Sequence, residues 1–129
     1  MIKLQCLCLL ALLAVACAAR GSRRPDAAVQ HVAIFWLKDH GNAEQIARIS
    51  RISKSFSSIP GVLNVFVGTS LPSDRPIVDD SYDVAVIITF ADTRAYHDFV
   101  NHPRHSQAVK DVVDTVVGKM RVYNIFHHP

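Results

Sequence analysis

Apolar positions recur along this chain with two different periods, and the changes of period divide it into six elements. From His31 to Lys38 both sides of an extended run are apolar, with His31, Ala33, Phe35 and Leu37 on one face and Val32, Ile34 and Trp36 on the other. That pattern predicts a strand covered on both faces. Asp39-His40-Gly41-Asn42 breaks the run. Ile46, Ile49, Ile52, Phe56 and Ile59 then recur at spacings of three or four, opposite Arg48, Arg51 and Lys54, so a helix follows with one buried stripe and one solvated face.

Pro60-Gly61 ends that helix, and Val62 to Gly68 reads as a second strand before a loop carrying Pro72 and Pro76. Tyr82 to Phe90, an apolar run, is the third strand. Asp92 is suited to cap a helix through Ala95, Tyr96, Phe99 and Val100, and Pro103 to open a second helical piece, where its missing N–H is harmless. That piece turns Val109, Val112, Val113, Val116 and Val117 inward; Gly118 is expected to close it, and Lys119 to Phe126 form the last strand. The order is β-α-β twice, with no residue-level repeat. It predicts an α+β fold with a ferredoxin-like four-stranded antiparallel sheet and its helices on one face.

The other face of such a sheet also presents apolar residues and needs cover. A second copy packed sheet to sheet supplies it, giving a homodimer with a barrel-like interior. A pocket enclosed between helices and sheet then suits a small apolar or aromatic molecule.

The N-terminal segment changes the picture of location. Lys3, the apolar run Leu4 to Val15 and the small residues Ala14-Val15-Ala16 read as a signal peptide over residues 1–16. Cys6, Cys8 and Cys17 all lie at or before that boundary, so the domain, residues 29–129, is expected to hold without disulfides. Leu13-Ala14-Val15-Ala16-Cys17 resembles a bacterial lipobox. On that reading an acylated Cys17 anchors an exported protein to the membrane of the cell envelope, and residues 17–28, with Arg20, Arg23, Arg24 and Pro25, are a tether. The alternative is ordinary cleavage after Ala16 or Ala18, leaving the protein secreted or periplasmic. Removing residues 1–16 subtracts only Lys3 from the 14 Lys and Arg, which leaves 13 against 11 Asp and Glu. That near balance excludes a dedicated nucleic-acid binder, which carries a dense basic patch.

The candidate chemistry is concentrated in His97 to His105, where three of the seven histidines fall within nine residues. Imidazole changes charge near neutral pH, so His105 at the mouth of an apolar pocket is a candidate acid/base group, with a structural or ligand-contacting role as the other reading. An enolate formed there needs a donor, for which Tyr96, His31 and His97 are available. His102 and His105 share a helix face, but no HExxH pattern or carboxylate set accompanies them; no metal or other cofactor is expected, and His102 is placed at the helix junction. His31 either faces the pocket or simply begins a strand at the domain edge. His127 and His128 form a solvated tail.

Several segments together resemble one family: His31-Val32-Ala33-Ile34-Phe35, Ile59-Pro60-Gly61-Val62, Tyr82-Asp83-Val84-Ala85, Phe90-Ala91-Asp92 and, most specifically, His102-Pro103-Arg104-His105. From about His31 to Phe126 the chain is similar to the stress-responsive A/B barrel domain, also called the dimeric α/β barrel or Dabb domain. The resemblance implies a small homodimer. It also brings in a plant polyketide cyclase whose acid/base histidine corresponds to His105 and whose first-strand histidine corresponds to His31; its two tyrosines fall at Phe99 and near Ile52. The site set expected is therefore His105 for chemistry, with His31, Tyr96, Phe99 and His102 contacting a ligand. The function expected is a small-molecule-binding module with a stress-related role; the alternative is a cofactor-independent lyase, cyclase or monooxygenase-like enzyme using His105. A structural dimer of the envelope without a ligand is the third reading.

Overall fold

The computed structural model describes residues 29–127. The signal peptide, the tether with Cys17, and His128 lie outside the described residues. The elements are β1 (Val29–Leu37), α1 (Ala43–Ser55), β2 (Val62–Gly68), β3 (Val84–Phe90), α2 (Thr93–Val100), α3 (Pro103–Ala108) and β4 (Val117–Phe126). A single 3₁₀ turn, Phe56–Ser58, follows α1, and a five-residue π-helical stretch, Val109–Val113, leads through one more helical turn, Asp114–Val116, into β4.

The strands form one antiparallel sheet in the order β2-β3-β1-β4, the ferredoxin-like arrangement. β1 is therefore a central strand, paired along both edges; its inner face meets the helices and its other apolar face lies open. It starts at Val29, two residues earlier than the sequence pattern indicates, because Val29 pairs with both Phe90 and Phe126. β3 starts two residues later, at Val84. The helix-facing side of the sheet carries Ala33, Phe35, Val84, Val86, Ile88 and Phe90, all buried, and Phe99, Ile49 and Phe56 close over them.

Gly118 does not end a helix. Trp36 pairs with Lys119 and Leu37 with Val117, so Gly118 is the extra residue of a bulge near the start of β4. Local glycine punctuation here marks a strand irregularity, which sequence alone does not separate from a helix stop. On α1, Ile49 is buried but Ile46 and Ile52 are only partly so, and Ser53 is buried among them.

Asp92 and Pro103 act where the sequence pattern places them, and Asn42, read there only as part of a chain break, also serves as a cap. Asn42 accepts from Gln45 N–H at 3.0 Å, and Asp92 from Ala95 N–H at 2.8 Å, each satisfying a donor left over at a helix start. Pro103 sits in the first turn of α3, and the His102 ring nitrogen Nδ1 accepts from Arg104 N–H at 3.2 Å. The Arg104 guanidinium reaches back to Ser58 Oγ and to the Ser55 carbonyl at 2.6 and 3.1 Å, tying α3 to the end of α1.

Asp83, 4% exposed, holds the β1–α1 turn. Its carboxylate accepts from Leu37 N–H and Gly41 N–H, each at 2.7 Å, and contacts His40 Nδ1 at 2.8 Å. Burial pushes the carboxyl up, but these hydrogen bonds outweigh it and hold the group below the ordinary carboxylate value.

The opposite side of the sheet is apolar and open. Register places Phe66, Ile87, Val32 and Tyr123 in one row across all four strands, with Phe66 57% and Tyr123 54% exposed. Ile34, Trp36 and Ile125 extend the patch, and the Lys119 ammonium lies 4.0 Å from the centre of the Trp36 ring. Phe35 and Phe90 are core residues, whereas Trp36 and Phe66 belong to this outer face.

Candidate functional site

Between the helices and the sheet lies a cavity of about 230 Å³. Its floor is the inner side of β1 and β4, with Ala33, Phe35, Met120 and Val122; its walls come from α1 (Ile49, Ile52), Phe56 and the π-helical stretch (Val109, Val112, Val113). A π turn widens a helix locally and leaves room beside it, and here the widened segment faces the cavity. Polar side chains on the lining are few: His31, Ser53, Tyr96 and His105.

His105 projects from α3 because Pro103 starts that helix two residues earlier. Its Nδ1 lies 3.1 Å from the Val100 carbonyl oxygen. A carbonyl only accepts, so Nδ1 carries the proton and the neutral ring keeps its lone pair on Nε2. Burial lowers the imidazole below its ordinary value; the bond to Val100 opposes this, and the nearby His31 adds to the lowering. Phe56 and Phe99 pack against the ring, with centroids 6.2 and 4.7 Å away. The result is a half-buried, neutral imidazole with a fixed tautomer on the cavity wall.

His31 is on the inner face of β1, so it faces the cavity and is not at a domain edge. Its Nδ1 is 2.7 Å from Asn124 Oδ1 on β4, directly across the strand pair. The Asn124 amide nitrogen in turn donates to the Tyr96 hydroxyl oxygen at 3.0 Å. Tyr96 comes from α2, one residue after the buried Ala95 that Asp92 sets by capping, and its ring centroid is 5.9 Å from that of His31. Three elements thus meet through one amide.

The structure brings His31, Tyr96 and His105 together on the cavity. It does not bring Phe99 or His102 there. Phe99 is fully buried and touches the rings of His31 and His105 from within the core, at 6.4 and 4.7 Å; His102 is occupied as the α3 cap. His97 is exposed and packs beside Tyr96. Ile52, at a position where the resemblance implies a phenol, lines the cavity, whereas Phe99 at the other such position does not. Sequence reasoning missed two residues. Asn124 is a polar side chain in register with the apolar Met120, Val122 and Phe126 on the inward-facing side of β4, which is a legible signal once β4 is paired. Ser53 interrupts the apolar stripe of α1 and shows no signal beyond that. Among the described residues no group of three or more His, Cys, Asp or Glu is placed to hold a metal ion.

Comparison with known proteins agrees with this architecture. A Dabb family protein with a ferredoxin-like fold from Mesorhizobium loti is 27% identical, with a TM-score of 0.61 over 80% of this chain and 97% of that one. The hydroxynitrile lyase of Passiflora edulis is 21% identical, with a TM-score of 0.70 over 81% of this chain and 96% of that one. A dimeric ferredoxin-like protein from Thermobifida fusca is 18% identical, with a TM-score of 0.61 over 77% of this chain and 90% of that one. No curated protein sequence matches the chain. The family model described as "Stress responsive A/B Barrel Domain" matches residues 29–126, which is all but one of the described residues, and the chain therefore belongs to the Dabb family.

Proposed function

We propose that this protein binds a small, largely apolar molecule in the cavity between its helices and its sheet, as a homodimer at the cell envelope. The carrying observation is the cavity itself: about 230 Å³, apolar on most of its wall, with its few polar groups contributed chiefly by His31, Tyr96 and His105. That combination of apolar volume and a few fixed polar groups is what small-molecule sites have in common. The open apolar row Phe66, Ile87, Val32 and Tyr123 supports the homodimer, because a soluble monomer rarely exposes a contiguous patch of that kind. Dimeric proteins of the same fold support it further. The Leu13-to-Cys17 segment supports an envelope anchor, and the family's description supports a stress-related role.

Native mass spectrometry of the purified protein tests the binding reading. A retained small molecule that is lost in His105→Ala is the expected result, and an empty dimer in both would favour a purely structural role. Cys17→Ser tests the anchor, and the variant is expected to leave the membrane fraction.

A second reading is favoured by one specific observation, the His105 imidazole held neutral with Nε2 free to accept. Such a group can take a proton from a carbon acid bound in the cavity and return it. On that reading the protein is a cofactor-independent lyase, cyclase or monooxygenase-like enzyme using His105, and activity unchanged in His105→Ala would reject His105 as its acid/base group.

A further inference from the structure

The near balance of charge in this chain hides a separation along the strands. Val29 pairs with both Phe90 and Phe126, and Val62 with Phe90, so one end of the sheet holds the start of β1, where residues 17–28 join it. α1 starts at the opposite end and finishes at this one, just before β2. Its exposed face carries Arg48, Arg51 and Lys54, and none of them has an ion-pair partner among the described residues. Arg104 adds another cation where its guanidinium meets Ser58 Oγ and the Ser55 carbonyl; both partners are neutral, so the charge is held in place without being cancelled. Of the acids at this end, Asp92 is engaged as a cap and Asp98 lies 3.8 Å from Arg94. Asp39, Glu44, Asp74, Asp79, Asp80 and Asp83 belong to the opposite end, in the segments that leave β1, open α1 and join β2 to β3, where Lys38, Arg75 and Lys119 offset only part of them.

We infer that this basic end is a docking face for an anionic lipid surface, with Arg51, Lys54 and Arg104 against headgroup phosphates and the acidic end turned away. Opposite poles on one domain orient it in the field of a negatively charged membrane, which attracts one end and repels the other. The chain that precedes β1 argues for a membrane as the occupant: it joins the domain at this same end, carries Arg20, Arg23 and Arg24 against Asp26, and leads back to Cys17. Residues 17–28 reach at most about 40 Å even when fully extended, so an acylated Cys17 keeps the face close to lipid. α1 lies on the inner side of the sheet, away from the row Phe66, Ile87, Val32 and Tyr123, and a sheet-to-sheet homodimer leaves its exposed face uncovered. The inference rests on the envelope location proposed above and adds to it which side of the domain meets the membrane. Docking of this kind is weakened by salt, so it does not retain the protein in a salt-washed membrane fraction, where the Cys17→Ser test of the anchor is read.

Vesicle co-sedimentation of the chain from residue 17 onward, carrying Cys17→Ser and therefore no acyl group, isolates the face. Binding is expected to phosphatidylcholine vesicles containing about a quarter phosphatidylglycerol and not to phosphatidylcholine alone, and it should be lost as salt rises from about 0.05 to about 0.5 M. Arg51→Gln with Lys54→Gln should weaken it about 25-fold, at about fivefold for each cation taken from the surface. Lys38→Gln with Arg75→Gln removes the same charge from the opposite end and should change binding by less than about twofold. All four side chains are exposed, so neither pair of substitutions disturbs the core. Equal losses in the two double variants overturn the docking face, because net charge alone then explains the attraction. Equal binding to both kinds of vesicle, or to neither, also overturns it and leaves the envelope location to the Cys17→Ser fractionation. Capture by heparin beads without binding to vesicles overturns it as well, and assigns the face to a soluble polyanion.

Discussion

Gly61 and Ala95 meet so closely that a Cβ added to Gly61 would lie 2.5 Å from the Ala95 Cβ and 3.3 Å from its Cα. This contact seats α2 on the turn that leads into β2, where the Gly61 carbonyl accepts from Ala91 N–H at 3.0 Å. The glycine also has φ +83°, which disfavours any side chain.

Gly61→Ala is accordingly expected to destabilise the fold by about 2–4 kcal/mol, the sum of a left-handed backbone penalty and an overpacked contact. Gly41 separates the two effects, because it has φ +75° and a Cβ added there would meet nothing within 4 Å. Gly41→Ala should cost only about 1 kcal/mol. Urea denaturation of both variants measures the difference, and equal losses would show that the Ala95 contact yields without cost.

Asp83 gives an acid-side prediction. Its folded-state value is lowered below 3.8, so the folded protein binds the proton less readily than the unfolded chain does. Its contribution is complete above the unfolded value and is lost as pH falls through the folded one. Asp83→Asn can satisfy only one of the two turn N–H groups and should cost about 1–3 kcal/mol at pH 7. It should also flatten the stability profile below pH 4, and an unchanged profile there would assign the acid sensitivity to other carboxylates.

His105 acts in the neutral range with the same sign for a different reason. Its imidazole is lowered below 6.5 by burial, so the unfolded chain takes up its proton first and stability falls as pH drops through 6.5 toward the folded value. NMR titration should place the ring's midpoint below 6.5. His105→Leu should reduce the loss of stability between pH 7 and pH 5; a midpoint above the ordinary value would contradict the burial argument.

The outer sheet face predicts the oligomer. Ile87 stands in the middle of the row between Phe66 and Val32, and Ile87→Glu would bury a carboxylate against the partner copy without touching the inner core. Sedimentation should show a dimer for wild type and a monomer for the variant. A variant that stays dimeric would move the interface elsewhere.

The parts of the fold that announced themselves in sequence are those fixed by local physics: the Asp39–Asn42 break before α1, Asp92 as a cap, Pro103 in a first helical turn, and β1 as a strand apolar on both faces. The bulge at Gly118 and the π stretch over Val109–Val113 were not legible, since both arise from pairing and packing against β1 and the cavity and not from propensity. The site divides in the same way. His31, Tyr96 and His105 carry their chemistry in their side chains, whereas Phe99 and His102 look equally suitable in sequence and are claimed by the core and by a cap. Asn124 acquires meaning only through its register opposite His31.

That register also sets the timing of folding. β1, the first strand made, has its two partners late in the chain, and the His31–Asn124 pair spans 93 positions. Contacts so distant in sequence form slowly, because the intervening loop must be closed before any of them stabilises. Until β4 docks, the centre of the sheet is a bare edge, and the cavity lacks Met120, Val122 and the amide that orients its polar wall. Closing the fold and completing the cavity are thus one event, so partly folded chains should have no enclosed space to offer a small molecule.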